Sequence, residues 1–448
     1  MENSEPYINH KIRFSRIAAS SSWLSAYRII RMVIAFAVGI LVARYLGPED
    51  YGKLHYALAI VMILIGIIGP GMKDVIARHW NAHPENQFAI VRASFRMVLI
   101  SNITMLFLAA LIILILRPGE SLILMMAVII GLGNVFRVFE VYELWFHYKL
   151  EMGKTVLIQG TAFLTLALAK IVAVYIGLPV LWFAVLIGTE IVLSGLGFML
   201  LFKWKVKPGF KNQPFNFLKI ARPIFYESIP SVASIAFVLI LFKVDQIMIG
   251  WLLNDTEVGY YAVAVPFSEY WAFLAIAIMT SVYPALLEAD KAGKAIFEKY
   301  LKRVFGFLSW LSFCIIIPVW LLGEYVILYF LGERFLPSSD ILSIHVWSLY
   351  FIFMIEVTRK WYVITKRLRL YVYISGIAAI LNIGLNYFLI PDYGGIGAAW
   401  ATIASYSFAG FFGLFLFKDS RKVAVLIIKG LAAPLELPHI LKKYRANR

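Results

Sequence analysis

Twelve apolar stretches of about 20 residues run through the chain, centred on Ile34, Ile63, Leu106, Ile130, Leu166, Leu193, Val238, Ala272, Leu311, Tyr350, Ala379 and Phe408. At 1.5 Å per residue, about 20 helical residues cross a hydrocarbon core of about 30 Å. Lipid offers no water to an open backbone, so such stretches fold as helices that satisfy their own amides and carbonyls. Composition agrees: 61% of residues are hydrophobic and 15% charged, and the mean hydropathy is +0.81. No water-soluble core hides that much apolar side chain. The first stretch, Trp23 to Leu46, follows Lys11, Arg13 and Arg16. It exceeds a signal-peptide core and lacks a small-residue cleavage site, so it is expected to remain as the first span.

The net charge of +16 would suggest nucleic acid in a soluble protein, but here the position of each Lys and Arg relative to the apolar stretches decides its meaning. One set of connectors is basic: Lys73/Arg78/Arg92, Lys149/Lys154, Lys203 to Arg222, Lys291 to Arg303, and Lys366/Arg367/Arg369. The alternate set is short and neutral to acidic: Gly47-Pro48-Glu49-Asp50, Arg117-Pro118-Gly119-Glu120, Gly177-Leu178-Pro179, Asn254-Asp255-Thr256-Glu257, Gly323 to Arg334, and Pro391-Asp392-Tyr393-Gly394. The positive set is expected in the cytoplasm, which puts both termini there and leaves no role for nucleic acid. No connector is long enough to fold as a domain, so the chemistry is expected within the bilayer.

The chain repeats itself. Tyr45-Leu46-Gly47-Pro48-Glu49-Asp50-Tyr51-Gly52, followed by Tyr56-Ala57-Leu58-Ala59, returns as Trp251 to Gly259 followed by Tyr261-Ala262-Val263-Ala264. Gly195 to Lys203 and Gly410 to Lys418 close the sixth and twelfth stretches alike. The fold expected is therefore an all-α membrane protein of about twelve transmembrane helices in two parallel six-helix repeats. The bundles are residues 1–208 and 209–418, with a cytoplasmic amphipathic tail over 419–448. The apolar run Val423 to Ile428 is too short to span and reads as a helix lying on the anionic membrane surface.

Signals for other chemistry are poor. A single cysteine, Cys314, excludes an internal disulfide, and His79 with His83, read as part of a solvated loop, makes no metal cluster. No catalytic constellation, metal or cofactor is expected. Gly66 with Gly69-Pro70-Gly71 marks a break in the second helix, either a hinge or a static kink.

Val42-Ala43-Arg44-Tyr45-Leu46-Gly47-Pro48-Glu49-Asp50-Tyr51-Gly52 resembles the first external turn of the Wzx-type polysaccharide flippases, members of the MATE-like MOP superfamily. A longer likeness follows in Val244-Asp245-Gln246-Ile247-Met248-Ile249-Gly250, Gly259-Tyr260-Tyr261-Ala262-Val263-Ala264, Ser268-Glu269-Tyr270-Trp271 and Ser281-Val282-Tyr283-Pro284-Ala285. The resemblance runs to about Lys418. It implies a MATE-like fold in the cell inner (plasma) membrane and a V-shaped cavity between two bundles. It also implies transport of a polyprenyl-diphosphate-linked oligosaccharide for O-antigen or other surface polysaccharide, alongside polysaccharide polymerase machinery. A cation-coupled multidrug exporter of the same superfamily, expected to carry an acidic cavity, is the alternative. A membrane polysaccharide polymerase, expected to need a large external loop, is a further one.

A lipid diphosphate entering a low-dielectric cavity needs cations at membrane depth. Arg28 and Arg31 lie one turn apart on one face of the first helix and are headgroup candidates, against the alternative of snorkelling to the interface. Lys243 is the third. Asp245 points about 200° away from it on the same helix, and Glu269 lies at mid-depth. Both are candidates for coupling or gating, Glu269 either through a proton-coupled step or as the ion-pair partner of Lys243. Arg137 and Glu140 form a gate or ion-paired cluster with Glu143. Asn382 and Asn386, one turn apart, face either sugar or the next helix, and Trp271 is a further candidate sugar contact.

Overall fold

A computed structural model describes residues 5–68, 72–83, 86–149, 151–205 and 216–432, with side chains from Tyr27 onward apart from 67, 68, 74, 81 and 148. The break at Gly69-Pro70-Gly71, the segment 206–215 and the basic end of the tail lie outside the described residues. Every described element is helical. The helices are α1 (Glu5–Ile68), α2 (Met72–Ala82), α3 (Gln87–Leu116), α4 (Ser121–Val135), α5 (Glu140–Tyr148), α6 (Met152–Tyr175), α7 (Val180–Lys205) and α8 (Phe217–Leu252). They continue as α9 (Asp255–Glu269), α10 (Ala272–Lys291), α11 (Lys294–Leu331), α12 (Pro337–His345), α13 (Ser348–Ile364), α14 (Leu368–Gly410) and α15 (Lys418–Leu431).

Among the described residues, ten helical runs are long and apolar enough to cross a membrane. Two of them are double. α1 is broken at Gly47, with φ 74° and ψ 173°, and α14 at Gly394, with φ 57° and ψ −139°. Both glycines adopt a left-handed φ that an L side chain resists, and Pro48 is placed at the first turn of a new helix, where its missing N–H costs nothing. Counting both parts of each gives twelve crossings, and all twelve expected centres fall inside them. Elsewhere the acidic turns start helices in the usual way: the Asn254 side chain accepts the Glu257 N–H at 2.9 Å as an N-cap before α9.

The chain forms two compact units. One holds residues 1–46 and 56–236, the other 47–55 and 237–448. These bounds differ from a division at residue 208 because α8 runs unbroken from Phe217 to Leu252 and its first half packs with the first unit.

In the first unit, Trp80, Ile76, Met97, Val141 and Ile224 form a buried cluster. α4 meets α7 backbone to backbone, since a Cβ at Gly133 would stand 2.6 Å from the Gly188 Cα. Small residues permit that approach, which replaces the hydrophobic drive that lipid cannot supply. His79 and His83, expected in a loop, sit on α2 and just past its end, and His79 Nε2 lies 3.3 Å from Glu227.

In the second unit, Leu241, Ile352, Ala378 and Tyr406 pack together. The repeated motif meets its own copy here: a Cβ at Gly52 would stand 1.7 Å from the Asp255 carbonyl oxygen, and one at Gly259 1.9 Å from that of Pro48. The amphipathic segment expected after the last crossing is α15. It lays Ser420, Val423, Ala424 and Ile427 against protein, and a Cβ at Gly306 of α11 would stand 2.7 Å from the Gly430 carbonyl oxygen. Val425 and Ile428 remain exposed.

Candidate functional site

Two polar clusters lie at membrane depth, one in each unit. In the first, Arg31 leaves α1 and meets Glu190 of α7 at 2.8 Å, while Lys170 of α6 approaches the other oxygen of Glu190 at 3.5 Å. The Arg31 guanidinium also lies over the Phe163 ring, 5.1 Å from its centroid. Glu190 is ten residues from the start of α7 at Val180, about 15 Å along the helix and so near mid-depth of a core of about 30 Å. Arg31 therefore turns inward to a carboxylate and does not snorkel outward. Arg28 is exposed and forms no ion pair among the described residues. Two cations against one carboxylate leave the Glu190 cluster net positive.

A separate network gathers the α2 end of the same unit. Lys73 Nζ meets Glu140 at 2.6 Å, Arg137 Nε meets the other Glu140 oxygen at 2.8 Å, and Gln159 donates to Glu143 at 2.8 Å. Arg137 and Glu140 are thus held by each other and by Lys73. Their charges cancel within the network.

In the second unit, Lys243 and Asp245 diverge as their spacing requires. Asp245 is only 2% exposed. It accepts hydrogen bonds from the Tyr261 hydroxyl at 2.6 Å, the Thr402 hydroxyl at 2.7 Å and the Asn386 amide at 2.5 Å. Asn386 also donates to the Asn382 Oδ1 at 3.1 Å, and Asn382 to Ser405 at 3.1 Å. A carboxylate at this depth with donors on three sides and no ion pair among the described residues is a costly arrangement that every donor must hold in place. Its surroundings are oxygen-rich: the Asp245 carboxylate, the Asn382 and Asn386 side-chain carbonyls and the Thr402 hydroxyl, with the Asn386 Oδ1 buried and unpartnered. Such a set suits a proton or a hard cation and not a soft one. No group of three or more His, Cys, Asp or Glu side chains converges among the described residues.

Asn382 and Asn386 are fully buried. Asn382 spends its amide on Ser405, and Asn386 spends its amide on Asp245 and Asn382. Trp271 is 38% exposed and its indole N–H donates to the Phe267 carbonyl at 3.0 Å.

Glu269 accepts from the Tyr406 hydroxyl at 3.2 Å and has no ion pair with Lys243. The Lys243–Glu269 pair is one alternative from the sequence, and it is not formed among the described residues: Glu269 is engaged by the Tyr406 hydroxyl instead. Lys243 is half-buried and makes no hydrogen bond or ion pair among the described residues, although its charge is felt at both Glu269 and His55.

The model of the family described as "Polysaccharide biosynthesis protein" matches residues 17–290, more than half the chain. The chain belongs to the polysaccharide biosynthesis protein family. A second family model, MatE, matches residues 230–388. Among solved structures, the chain is similar to the lipid II flippase MurJ in an inward closed conformation, with a TM-score of 0.72, 16% identity, and 94% of this chain and 99% of that one covered. It is also similar to an inward-facing multidrug resistance MATE family transporter of the MOP superfamily, with a TM-score of 0.66, 16% identity, and 95% and 99% coverage. No curated protein matches. The fold is thus that of the MOP superfamily, as the sequence resemblance implied, and the chain is a multi-pass membrane transporter of that superfamily. The families and structures matched are those of transporters and flippases, not of enzymes.

The sequence offers nothing that joins Lys170 and Glu190 to Arg31. Sequence reasoning overlooked Thr402, Ser405 and Tyr406 altogether. Tyr261 stood in a repeated Gly-Tyr-Ala helix start, which marked the position without revealing that its hydroxyl serves Asp245. Thr402 and Ser405 carried no signal, being small hydroxyl residues in an apolar stretch, where most such residues bond their own helix, as Ser405 does to the Ala401 carbonyl at 2.7 Å.

Proposed function

We propose that this family member flips a polyprenyl-diphosphate-linked oligosaccharide from the inner to the outer leaflet of the cell inner membrane by alternating access. It would thereby supply O-antigen or another surface polysaccharide to the polymerase that follows. The observation that carries the reading is uncompensated positive charge at membrane depth. Arg31 and Lys170 share a single carboxylate, Glu190, while Arg28 and Lys243 form no ion pair among the described residues. Basic side chains buried in a bilayer are costly, and an anionic cargo repays that cost. A lipid diphosphate is such a cargo; a cationic drug is not.

In this reading Arg28, Arg31 and Lys243 engage the diphosphate. Asp245 is the coupling site, where a proton or small cation exchanges against the Tyr261, Thr402 and Asn386 contacts, and Glu269 with Tyr406 lies beside it. Both termini face the cytoplasm, as the basic connectors require.

The test is transport of a fluorescent lipid-linked oligosaccharide in vesicles containing the purified protein. Arg28→Ala with Arg31→Ala should abolish it, and Arg→Lys at both sites should retain part, since charge survives and the guanidinium fork does not. Normal transport by the double alanine variant, or efflux of a cationic dye in its place, would overturn the reading.

A further inference from the structure

The first unit carries a groove that none of these roles uses. Its volume is about 690 Å³, and it lies between α8, from Phe217 to Ala236, and the facing side chains of Met72, Met97, Ile100 and Ser101. The wall is carbon nearly throughout, with Ala221, Phe225, Ile229 and Ala233 along α8. Ser228, which also lines it, spends its hydroxyl on the Ile224 carbonyl at 2.6 Å. Arg222, near the start of α8, is the one charged side chain in the lining. It is exposed, lies 5.9 Å from the Tyr226 ring centroid, and forms no ion pair among the described residues.

Dimensions choose the occupant. From Phe217 to Ala236 the helix rises about 28 Å at 1.5 Å per residue, nearly the full hydrocarbon core of about 30 Å and about twice the depth of one leaflet. The lining follows α8 over that whole rise, so a chain lying along it passes beyond one leaflet. A bilayer phospholipid brings two chains, each one leaflet deep. A polyisoprenoid brings one chain longer than a leaflet, with phosphate at its end.

We propose that this groove holds the polyisoprenoid chain of the lipid-linked glycan, with the lipid phosphate at Arg222. The assignment rests on the flippase reading and deepens it: the hydrocarbon anchor rides along α8 while the sugar and diphosphate cross elsewhere. The exposed rim, with Ile100 and Ile229 open to the surroundings, lets a chain enter sideways from the bilayer.

The experiment uses the full-length protein in phosphatidylcholine vesicles with a polyprenyl phosphate that carries a diazirine halfway along its chain. Illumination should label α8 between Ala221 and Ala236 and α3 between Met97 and Ser101. Excess unlabelled polyprenyl phosphate should displace the label, and phosphatidylglycerol should not. Ala233→Trp should abolish labelling by filling the groove. Arg222→Gln, a change at an exposed position that leaves packing intact should Ala233→Trp fail to fold, should weaken apparent affinity about tenfold, the value of one charge-assisted hydrogen bond.

Labelling confined to other helices, unchanged labelling in the folded variants, or equal displacement by phosphatidylglycerol would overturn the proposal. Flipping measured in the same vesicles separates the two readings. Transport without groove labelling sinks the groove and leaves the flippase, whereas groove labelling without transport sinks the flippase and leaves a polyprenyl phosphate site.

Discussion

Glu190→Gln removes the one carboxylate that Arg31 and Lys170 share while keeping its size. Breaking a buried pair by deleting one partner costs about 3 to 5 kcal/mol when the stranded charge stays dry. Here the Lys170 side chain is 18% exposed and that of Arg31 is 45% exposed. Arg31 can rehydrate, so its share is discounted, and the loss comes mainly from Lys170. We expect about 2 kcal/mol of destabilisation, a factor of about 30 in the unfolding equilibrium. Thermal unfolding in detergent, followed by size-exclusion chromatography of a fluorescent fusion, reads it. Lys170→Met in the Glu190→Gln background should recover most of the loss, because the stranded ammonium is gone. Arg31→Ala alone should cost little stability, since Lys170 still answers Glu190, yet it should impair transport. Wild-type stability of Glu190→Gln, or no recovery with Lys170→Met, would refute the charge accounting at this site.

Asp245→Asn turns an acceptor of three hydrogen bonds into a group that must present its own N–H to at least one of Tyr261, Thr402 and Asn386. It should cost about 2 kcal/mol and remove the response of transport to sodium or proton gradients, measured in vesicles; an unchanged response takes Asp245 out of coupling. Gly259→Ala forces a Cβ toward a point 1.9 Å from the Pro48 carbonyl oxygen, so it should cost about 1 to 3 kcal/mol in the same unfolding assay. Gly39→Ala, with nothing within 4 Å, should be neutral or better, and equal behaviour of the two would contradict the close approach. Reporter fusions at Asp50, Glu120 and Asp392 should report outside and those at Lys294 and Arg367 inside, and an inside signal at Asp392 would contradict the broken-helix count at Gly394.

The crossings were legible because the length of an apolar stretch and the charge of its connectors are local properties. Even the two breaks inside long helices, at Gly47 and Gly394, were readable as Gly-Pro-acidic and Pro-Asp-Tyr-Gly turns. Residue types that suffer most from burial were legible too: Arg31, Lys243, Asp245 and Glu269 stood out against hydrocarbon. Their partners did not. Arg31 meets Glu190 across 159 positions of chain and Asp245 meets Thr402 across 157, and nothing in one sequence says which faces of which helices adjoin. That is why the sequence offers Lys243 as one partner for Glu269, whose hydrogen bond comes from the hydroxyl of Tyr406. It is also why the sequence leaves Asn382 and Asn386 open between sugar and the next helix.

The covalent path between the compact units has a consequence for how such a chain can be cut and recombined. It passes from one unit to the other three times, after Leu46, after His55 and after Ala236. Each sequence half therefore lodges a piece of itself in the opposite unit: the nine residues from Gly47 to His55 in one direction, and the opening of α8 in the other. A hybrid made by joining the first half of this chain to the second half of a cousin, with the seam anywhere in 206–215, would inherit a borrowed α8 against its native α2 and α3. It would also bring a foreign partner for Gly52. Two of the three seams that keep each unit whole, after His55 and after Ala236, lie inside helices where no turn marks them, so a working hybrid is expected only from joins at those positions and not from an exchange of sequence halves.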